Sequence, residues 1–437
     1  MLGVRGDTDM TTRKRLFLTI LVFVFISLVL AWTFRAPLRR LAFEATGEEQ
    51  TLGQIRGLLQ YATNWTRPQP DTRPDASIAY AGAGHDAVNP FGVNTFLEQE
   101  VEPAKRERQI QMIADAGFRW IRQEFPWADI EITAKGDFVD RRNDPKGMDA
   151  WAKYDNIIDL ASKYNVQVMA RLTSPPAWTR AVTETHGAFA PPDNVADYAD
   201  FVEAVLHRYK GRLRYLQIWN EPNLSPEWGS CPTCGVDPEA YTRLLCAAYS
   251  RAKSVDPDAV IVSGALGQTL DLSRFPPGGM NEFIFLQRMY DAGAGRCFDI
   301  LSVNDYGLGS GPTDRRLRFN ITNFSRPMYL RDVMVKNGDK RKPIWIAEVG
   351  WNAIPNDPKL IQWGAFGQVT QQQQGEYLVR AYQRIRAEWP WVGVAFTWFF
   401  KPADEHERNQ AKYYFRIVDP DFTPLPAYNA IKAYATQ

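Results

Sequence analysis

Two glutamates stand where apolar runs break off. Leu216-Gln217-Ile218-Trp219 gives way to Asn220-Glu221-Pro222-Asn223, and Ile344-Trp345-Ile346-Ala347 to Glu348-Val349-Gly350-Trp351. Each run reads as a buried strand with a carboxylate at its end. Two carboxyl groups on either side of one bond are the usual machinery for cutting a glycosidic linkage. Either glutamate alone is readily a surface residue at a strand-to-loop junction. Two of them, each bracketed by apolar strand and tryptophan, point to shared chemistry. Glu124 also ends a strand-like run and reads as a salt-bridge partner or a polar sugar contact.

Pairing them requires a fold that brings distant strand ends together. Strand-like runs recur at 91–94, 119–124, 166–171, 214–219, 260–264, 300–304, 344–348 and 392–399, with helix-like segments at 103–116, 149–164, 194–209, 238–254, 281–292 and 373–388. Pro103 opens the first helix and Gly117 is placed to close it. Alternation of strand and helix implies a parallel sheet. Eight units over roughly 350 residues fit a (β/α)₈ barrel with enlarged loops, about 44 residues per unit. Glu221 and Glu348 are 127 residues apart, close to three units. This puts them at the ends of strands 4 and 7, facing one cleft at the carboxyl face.

The chain has 437 residues, 45% hydrophobic, with 51 Lys+Arg against 50 Asp+Glu and a net charge of +1. Such balance argues against nucleic acid as a partner, since phosphate binding wants a basic surplus. Residues 16–34 carry no charge, with Arg13, Lys14 and Arg15 before them and Arg35, Arg39 and Arg40 after. Nineteen uncharged residues nearly match a hydrocarbon core of roughly 30 Å, and no small-residue cleavage pattern comes after them. The expected organisation is a cytoplasmic N-terminus (1–15), an uncleaved transmembrane anchor (16–34), a stalk (35–77) and an extracytoplasmic barrel domain (78–437). Within the stalk, Leu38, Leu41, Ile55, Leu58 and Leu59 suggest a short amphipathic helix, and Pro68, Pro70 and Pro74 stiffen the approach to the barrel. Cys231 and Cys234 have CxxC spacing without a second ligand pair, so a local disulfide is favoured over zinc. Cys246 and Cys297 read as buried thiols, ahead of a second bridge. His186 and His207 carry little. No HExxH and no glycine-rich phosphate loop occurs, so neither metal nor cofactor is expected.

At Trp219-Asn220-Glu221-Pro222-Asn223 the chain resembles the clan of retaining (β/α)₈ glycoside hydrolases, and most closely the family 39-like group of β-xylosidases and bacterial exopolysaccharide hydrolases. The resemblance extends over about residues 85–437. It implies that Glu221 is the general acid/base, that Asn220 binds the sugar 2-hydroxyl, and that Glu348 is the nucleophile. By the same resemblance Arg122 supports the nucleophile from strand 2, Tyr306 hydrogen-bonds it from strand 6, and Trp398 on strand 8 lies under the bound sugar. Many relatives carry a histidine just before that tyrosine, where this chain has Asn304 and Asp305.

Sugar rings stack on aromatic faces. Trp127, Trp178, Trp228, Trp351 and Trp398 fall at or after strand ends and are candidates for such contact. Together these features lead to an expected retaining β-glycoside hydrolase acting on a cell-surface or extracellular polysaccharide. An exo-acting β-xylosidase or β-glucosidase and a non-catalytic glycan-binding barrel are the alternatives. Oligomeric state is left open.

Overall fold

The computed structural model describes residues 18–20, 22, 24, 34–67, 69–70, 89–181, 187–229, 234–275, 278–361 and 366–437. Eight parallel strands form the centre: β1 (Phe91–Thr95), β2 (Trp120–Pro126), β3 (Gln167–Thr173), β4 (Tyr215–Asn220), β5 (Val260–Ala265), β6 (Leu301–Tyr306), β7 (Ile344–Gly350) and β8 (Val392–Thr397). Their order is β5-β4-β3-β2-β1-β8-β7-β6. Parallel bridges Val262↔Ile300 and Leu266↔Val303 join the two edges, which closes the barrel. Val and Ile fill these strands because both faces are buried, one by the barrel interior and one by the helices.

Two helices precede the barrel, α1 (Arg35–Thr46) and α2 (Thr51–Ala62). Around it lie α3 (Pro103–Asp115), α4 (Ala152–Lys163), α5 (Val195–Arg208), α6 (Pro238–Val255), α7 (Glu282–Asp291), α8 (Pro327–Lys336), α9 (Gln371–Glu388) and α10 (Pro426–Ala435). Their starts follow local chemistry. Pro103 opens α3. Asn194 and Asp237 cap α5 and α6, and Thr370 with Gln373 forms a capping box on α9. Each side-chain oxygen satisfies an amide that the first turn leaves open. After α3, Gly117 takes φ +85°, and a Cβ there would lie 2.8 Å from that of Ala435. Position 117 therefore needs glycine twice over, for the left-handed turn and for the close approach of α10. The helix-like segments of the sequence pattern match six of these eight barrel helices at nearly their observed bounds and omit α8 and α10, whose ten residues each show only a short periodicity.

The core has two parts. A large outer cluster seals strands to helices, including Ile121, Leu172, Leu216, Ile218, Tyr241 and Ile346. A smaller inner cluster plugs the barrel and includes Trp120, Tyr215 and Trp345. Their ring centroids stand 4.8–5.2 Å apart.

The segment expected to be a stalk is not a free spacer where it is described. α1 and α2 form a hairpin docked on the loop that follows β6 and on α9. Gly47, at φ +66°, lies so close to Gly311 that a Cβ would come within 2.7 Å of its carbonyl oxygen. Glu44 pairs with Arg380 at 2.8 Å and Glu48 with Arg316 at 2.9 Å. Pro68 and Pro74 lie outside the described residues, as does most of 16–34. Among the described residues no helix is long and apolar enough to cross a membrane.

The cysteine expectation is corrected at one pair. Cys246, on α6, and Cys297, after α7, form a disulfide across a separation of 51 residues. Both are apolar helix-side positions, so sequence alone did not separate a packed thiol from a bridge. Cys234 is also disulfide-bonded; Cys231 and His186 lie outside the described residues.

Candidate active site

Above the aromatic plug the strands carry a polar layer, and Arg122 is its hub. On β2 the alternate residues Trp120, Arg122 and Glu124 share one face, so the guanidinium projects inside the barrel one step above the plug. Its Nε donates to Gln217 Oε1 at 2.7 Å, Nη1 to Asn94 Oδ1 at 2.9 Å and to Glu348 Oε1 at 2.7 Å, and Nη2 to Asn220 Oδ1 at 2.6 Å. Gln217 passes a further hydrogen bond to Ser302 at 2.8 Å. A planar fork of five donors is suited to holding several acceptors at fixed angles. Burial depresses the guanidinium pKa, and the adjacent Glu348 charge opposes that.

Neither glutamate reaches this hub by simple strand alternation. On β4, Tyr215 and Gln217 point inward, so strict alternation sends Trp219 in and Asn220 out. Instead Trp219 has φ +78° and Glu221 φ +39°. The left-handed Trp219 turns its ring to the outer core, 5.9 Å from Tyr198 and 5.2 Å from Trp228, and Asn220 turns in. Such a backbone costs non-glycine residues on the order of 1–3 kcal/mol each, and it tends to gather at functional sites. On β7 the device is different. Beside β6 the register passes from Val303↔Ile346 to Asn304↔Glu348, and beside β8 from Ala395↔Ile346 to Thr397↔Val349. Both neighbours see one extra residue on β7. With Trp345 and Ala347 already facing inward, this bulge re-aims Glu348 into the cleft.

The two carboxyl groups have different surroundings. Glu348 is buried and accepts from Arg122 on one oxygen and from the Tyr306 hydroxyl on the other. The Tyr306 phenol is pushed well above its ordinary value by burial and by the Glu348 charge, so it stays a donor. Glu221 accepts one bond, from Asn304 Nδ2 at 2.8 Å. Burial first, then the charges of Glu348 and Glu227, push its pKa up to about 8. The Asn304 bond and the Arg122 charge pull against that shift.

The expected residues Glu348, Asn220, Arg122 and Tyr306 are thus joined in one hydrogen-bonded network, and Glu221 lies close enough to feel the charges of Glu348 and Arg122. Trp398 directly follows β8, half-buried, its ring edge-on to Phe96 at 5.5 Å and its amide bonded to Val349 O at 2.9 Å. The peptide between Trp398 and Phe399 is cis. Other tryptophans correct the expectation. Trp351 is fully buried; its Nε1 donates to Ser310 O at 2.8 Å, and a Cβ on Gly307 would lie 2.1 Å from its indole. It fastens the loop after β6 instead of facing a sugar. Trp127 and Trp228 are buried in the outer core. Trp178 packs edge-on against Trp127 and donates to Glu131 O at 2.9 Å, while its ring stays partly exposed.

Glu124 has the structural role. Its oxygens accept from Arg171, Thr173 and Ser174. Despite burial these partners hold its carboxyl below the ordinary value. Glu98 sits beside it, raised to about 7 by burial and by the Glu124 charge. Sequence reasoning missed Asn94, Gln217 and Glu227. The first two are polar residues inside apolar parallel strands, a placement that itself signals a buried network. Glu227 accepts from Asn220 Nδ2 at 3.2 Å and is raised by burial; its nearness to Glu221 in sequence was the available clue. Among the described residues no group of three or more His, Cys, Asp or Glu is arranged to hold a metal ion.

No protein-family model matches the sequence, and no curated protein matches it. Similar solved structures do exist. A family 39 glycoside hydrolase from the gut symbiont Bacteroides cellulosilyticus WH2 superposes with a TM-score of 0.56 at 21% identity, over 79% of this chain and 63% of that one. A monomeric β-xylosidase from Caulobacter crescentus CB15 gives 0.54 at 17% identity, over 80% and 69%. An exo-β-1,4-mannosidase from Opitutaceae bacterium strain TAV5 gives 0.55 at 17%, over 83% and 62%. The chain therefore spans less than two thirds of the first and third of these. What it shares with all three is the fold, a (β/α)₈ barrel.

Proposed function

We propose that the protein is a retaining β-glycoside hydrolase in which Glu348 attacks the anomeric carbon and Glu221 serves as acid and then base. The unequal setting of the two carboxyl groups carries this reading. Glu348 has a guanidinium and a phenol donating to its two oxygens, which leaves it an acceptor in contact with a cation. Glu221 is raised to about 8, so it holds a proton at neutral pH. As a Glu348 oxygen bonds to the anomeric carbon, the glycosidic C–O bond breaks and the leaving oxygen takes the Glu221 proton. The glycosyl ester removes the Glu348 charge and with it one cause of the raised pKa. Glu221, now a carboxylate, takes a proton from water as that oxygen attacks the anomeric carbon, and Glu348 is released. Asn220, held between Arg122 and Glu227, is the candidate ligand for the sugar 2-hydroxyl, and Trp398 for the ring face.

The substrate is a polysaccharide at or beyond the cell surface, with residues 16–34 as anchor and the barrel extracytoplasmic. The disulfide at Cys246–Cys297 and the bonded Cys234 favour an oxidising compartment. The neighbours named β-xylosidase and exo-β-1,4-mannosidase favour an exo-acting alternative. Purified protein tested on aryl β-glycosides and surface polysaccharides decides among these readings. Hydrolysis abolished by Glu221→Gln is expected. Early oligosaccharides mark endo action and monomer alone marks exo action. Glycan binding without turnover sinks the enzymatic reading.

A further inference from the structure

The α1–α2 hairpin carries most of its large aliphatic side chains outward. Between its own helices it buries the small or polar Ala42, Thr46, Gln54 and Gly57, and Phe43 packs on Tyr377 of α9. Gly57 lies against Thr46, where a Cβ would come within 2.7 Å. Its outward side is apolar. Leu38 and Leu41 on α1, and Leu52, Ile55, Leu58 and Leu59 on α2, are exposed, Leu52 to 80%. Positions 52, 55 and 59 fall on one helical face. Trp65, just beyond α2, is 79% exposed. Single exposed leucines need no explanation, but six large aliphatic side chains on two neighbouring helices do.

Charge is sorted in the same way. The hairpin's three acids all look toward the barrel: Glu44 to Arg380, Glu48 to Arg316 and Glu49 to the Tyr377 hydroxyl at 2.6 Å. Arg39, Arg40 and Arg56 are exposed. The outer surface thus combines leucine, a tryptophan and Arg56, while Arg39 and Arg40 border the groove toward α9 that they share with Glu49 and Glu376. We propose that this face is a membrane-surface contact, lying in the headgroup region of an anionic bilayer. An apolar face bordered by cations is the pattern of an interfacial helix, and an exposed tryptophan suits the same depth. The chain also arrives at Arg35 straight from nineteen uncharged residues.

This inference deepens the anchored reading, on which it rests, by fixing how the barrel sits. The hairpin's inner side is pinned to Gly311 and to Arg315, whose carbonyl accepts from Asn64 at 3.0 Å. That loop begins directly after Tyr306. A lipid contact at α1–α2 is therefore tied to the rim of the cleft, and holds the site over glycan lying close to the membrane.

The test uses the full chain with a single added cysteine carrying an environment-sensitive fluorophore, at Leu59→Cys or, as a control on the barrel surface, at Lys210→Cys. Each is mixed with phosphatidylglycerol–phosphatidylcholine vesicles containing brominated acyl chains. The expected result is flotation with the vesicles, a blue-shifted label at position 59, and several-fold stronger bromine quenching there than at 210, weakened by Arg40→Glu with Arg56→Glu. Flotation with equal quenching at both positions overturns the inference and leaves the anchor standing. Failure to float overturns both. A blue shift that tracks protein concentration without bromine quenching assigns the face to a second copy and overturns the lipid contact.

Discussion

Asn304 on β6 donates a 2.8 Å hydrogen bond to Oε1 of Glu221 at the end of β4. Two residues further along the same strand face, Tyr306 donates to Glu348. One strand therefore touches both carboxyl groups, with an amide for one and a phenol for the other. The amide cannot titrate, and it bonds the proposed acid directly.

Asn304→Ala removes a donor that favours the charged form of Glu221. The pKa of Glu221 then rises further, since the Asn304 bond lowers it. The alkaline limb of kcat/KM is expected to move to higher pH. Because a base of higher pKa carries less carboxylate at neutral pH and is less well aligned, hydrolysis of the intermediate is expected to slow by about 10²-fold or less. A pH–rate profile of the variant reads both effects.

Arg122 holds four acceptors at 2.6–2.9 Å. Arg122→Ala leaves Glu348 buried without its cation, a loss of about 3–5 kcal/mol for a broken buried pair, seen as a lower Tm. Arg122→Lys keeps the charge but not the fork. It is expected to retain more stability than the alanine variant and still to lose most activity, which separates positioning from charge. Equal activity in lysine and wild-type proteins would show that the geometry is unimportant.

The pH dependence of activity is set by which form of Glu221 works. The protonated form is active in the first step, so kcat/KM is expected to fall as pH rises through about 8. Glu98 also titrates, near 7, but it bonds Gln123 and neighbours Glu124 rather than the reacting pair. Glu98→Gln should leave the limb near 8 in place. A limb that moves with Glu98 would reassign it.

Stability has the linked dependence. A carboxyl whose pKa is 4.5 unfolded and about 8 folded stabilises the fold fully below the lower value. That contribution is lost progressively as pH rises toward the upper one. Glu221→Gln never ionises, so it escapes the loss. The variant should match wild type near pH 4 and exceed it near pH 9, by up to about 5 kcal/mol, in thermal melts across that range. A variant less stable at pH 9 would contradict the raised pKa.

The barrel was legible because its eight strands are short apolar runs at regular spacing, and such runs have few other uses. The carboxylate pair was legible because its separation matches three repeats. What could not be read is how the pair turns inward. Trp219 breaks the alternation of β4 through a left-handed backbone, and β7 does so by a bulge before Glu348. Neither leaves a glycine or proline at the break itself to mark it. Trp351 misled because a tryptophan after a strand suits a sugar or a loop equally; only Gly307 beneath its ring decides. The hairpin at 35–62 was legible as amphipathic, but which side faced the barrel depended on Arg316 and Arg380, more than 250 residues away.

Everything proposed for the site turns on Glu348 as nucleophile, and a mechanism-based 2-deoxy-2-fluoro β-glycoside probes that role at the reacting atom itself. Time-dependent inactivation is predicted, with the sugar carried by the peptide containing Ile346-Ala347-Glu348-Val349 and no label in Glu348→Gln. A label on a peptide containing Glu221, Glu227 or Glu124 instead would contradict it.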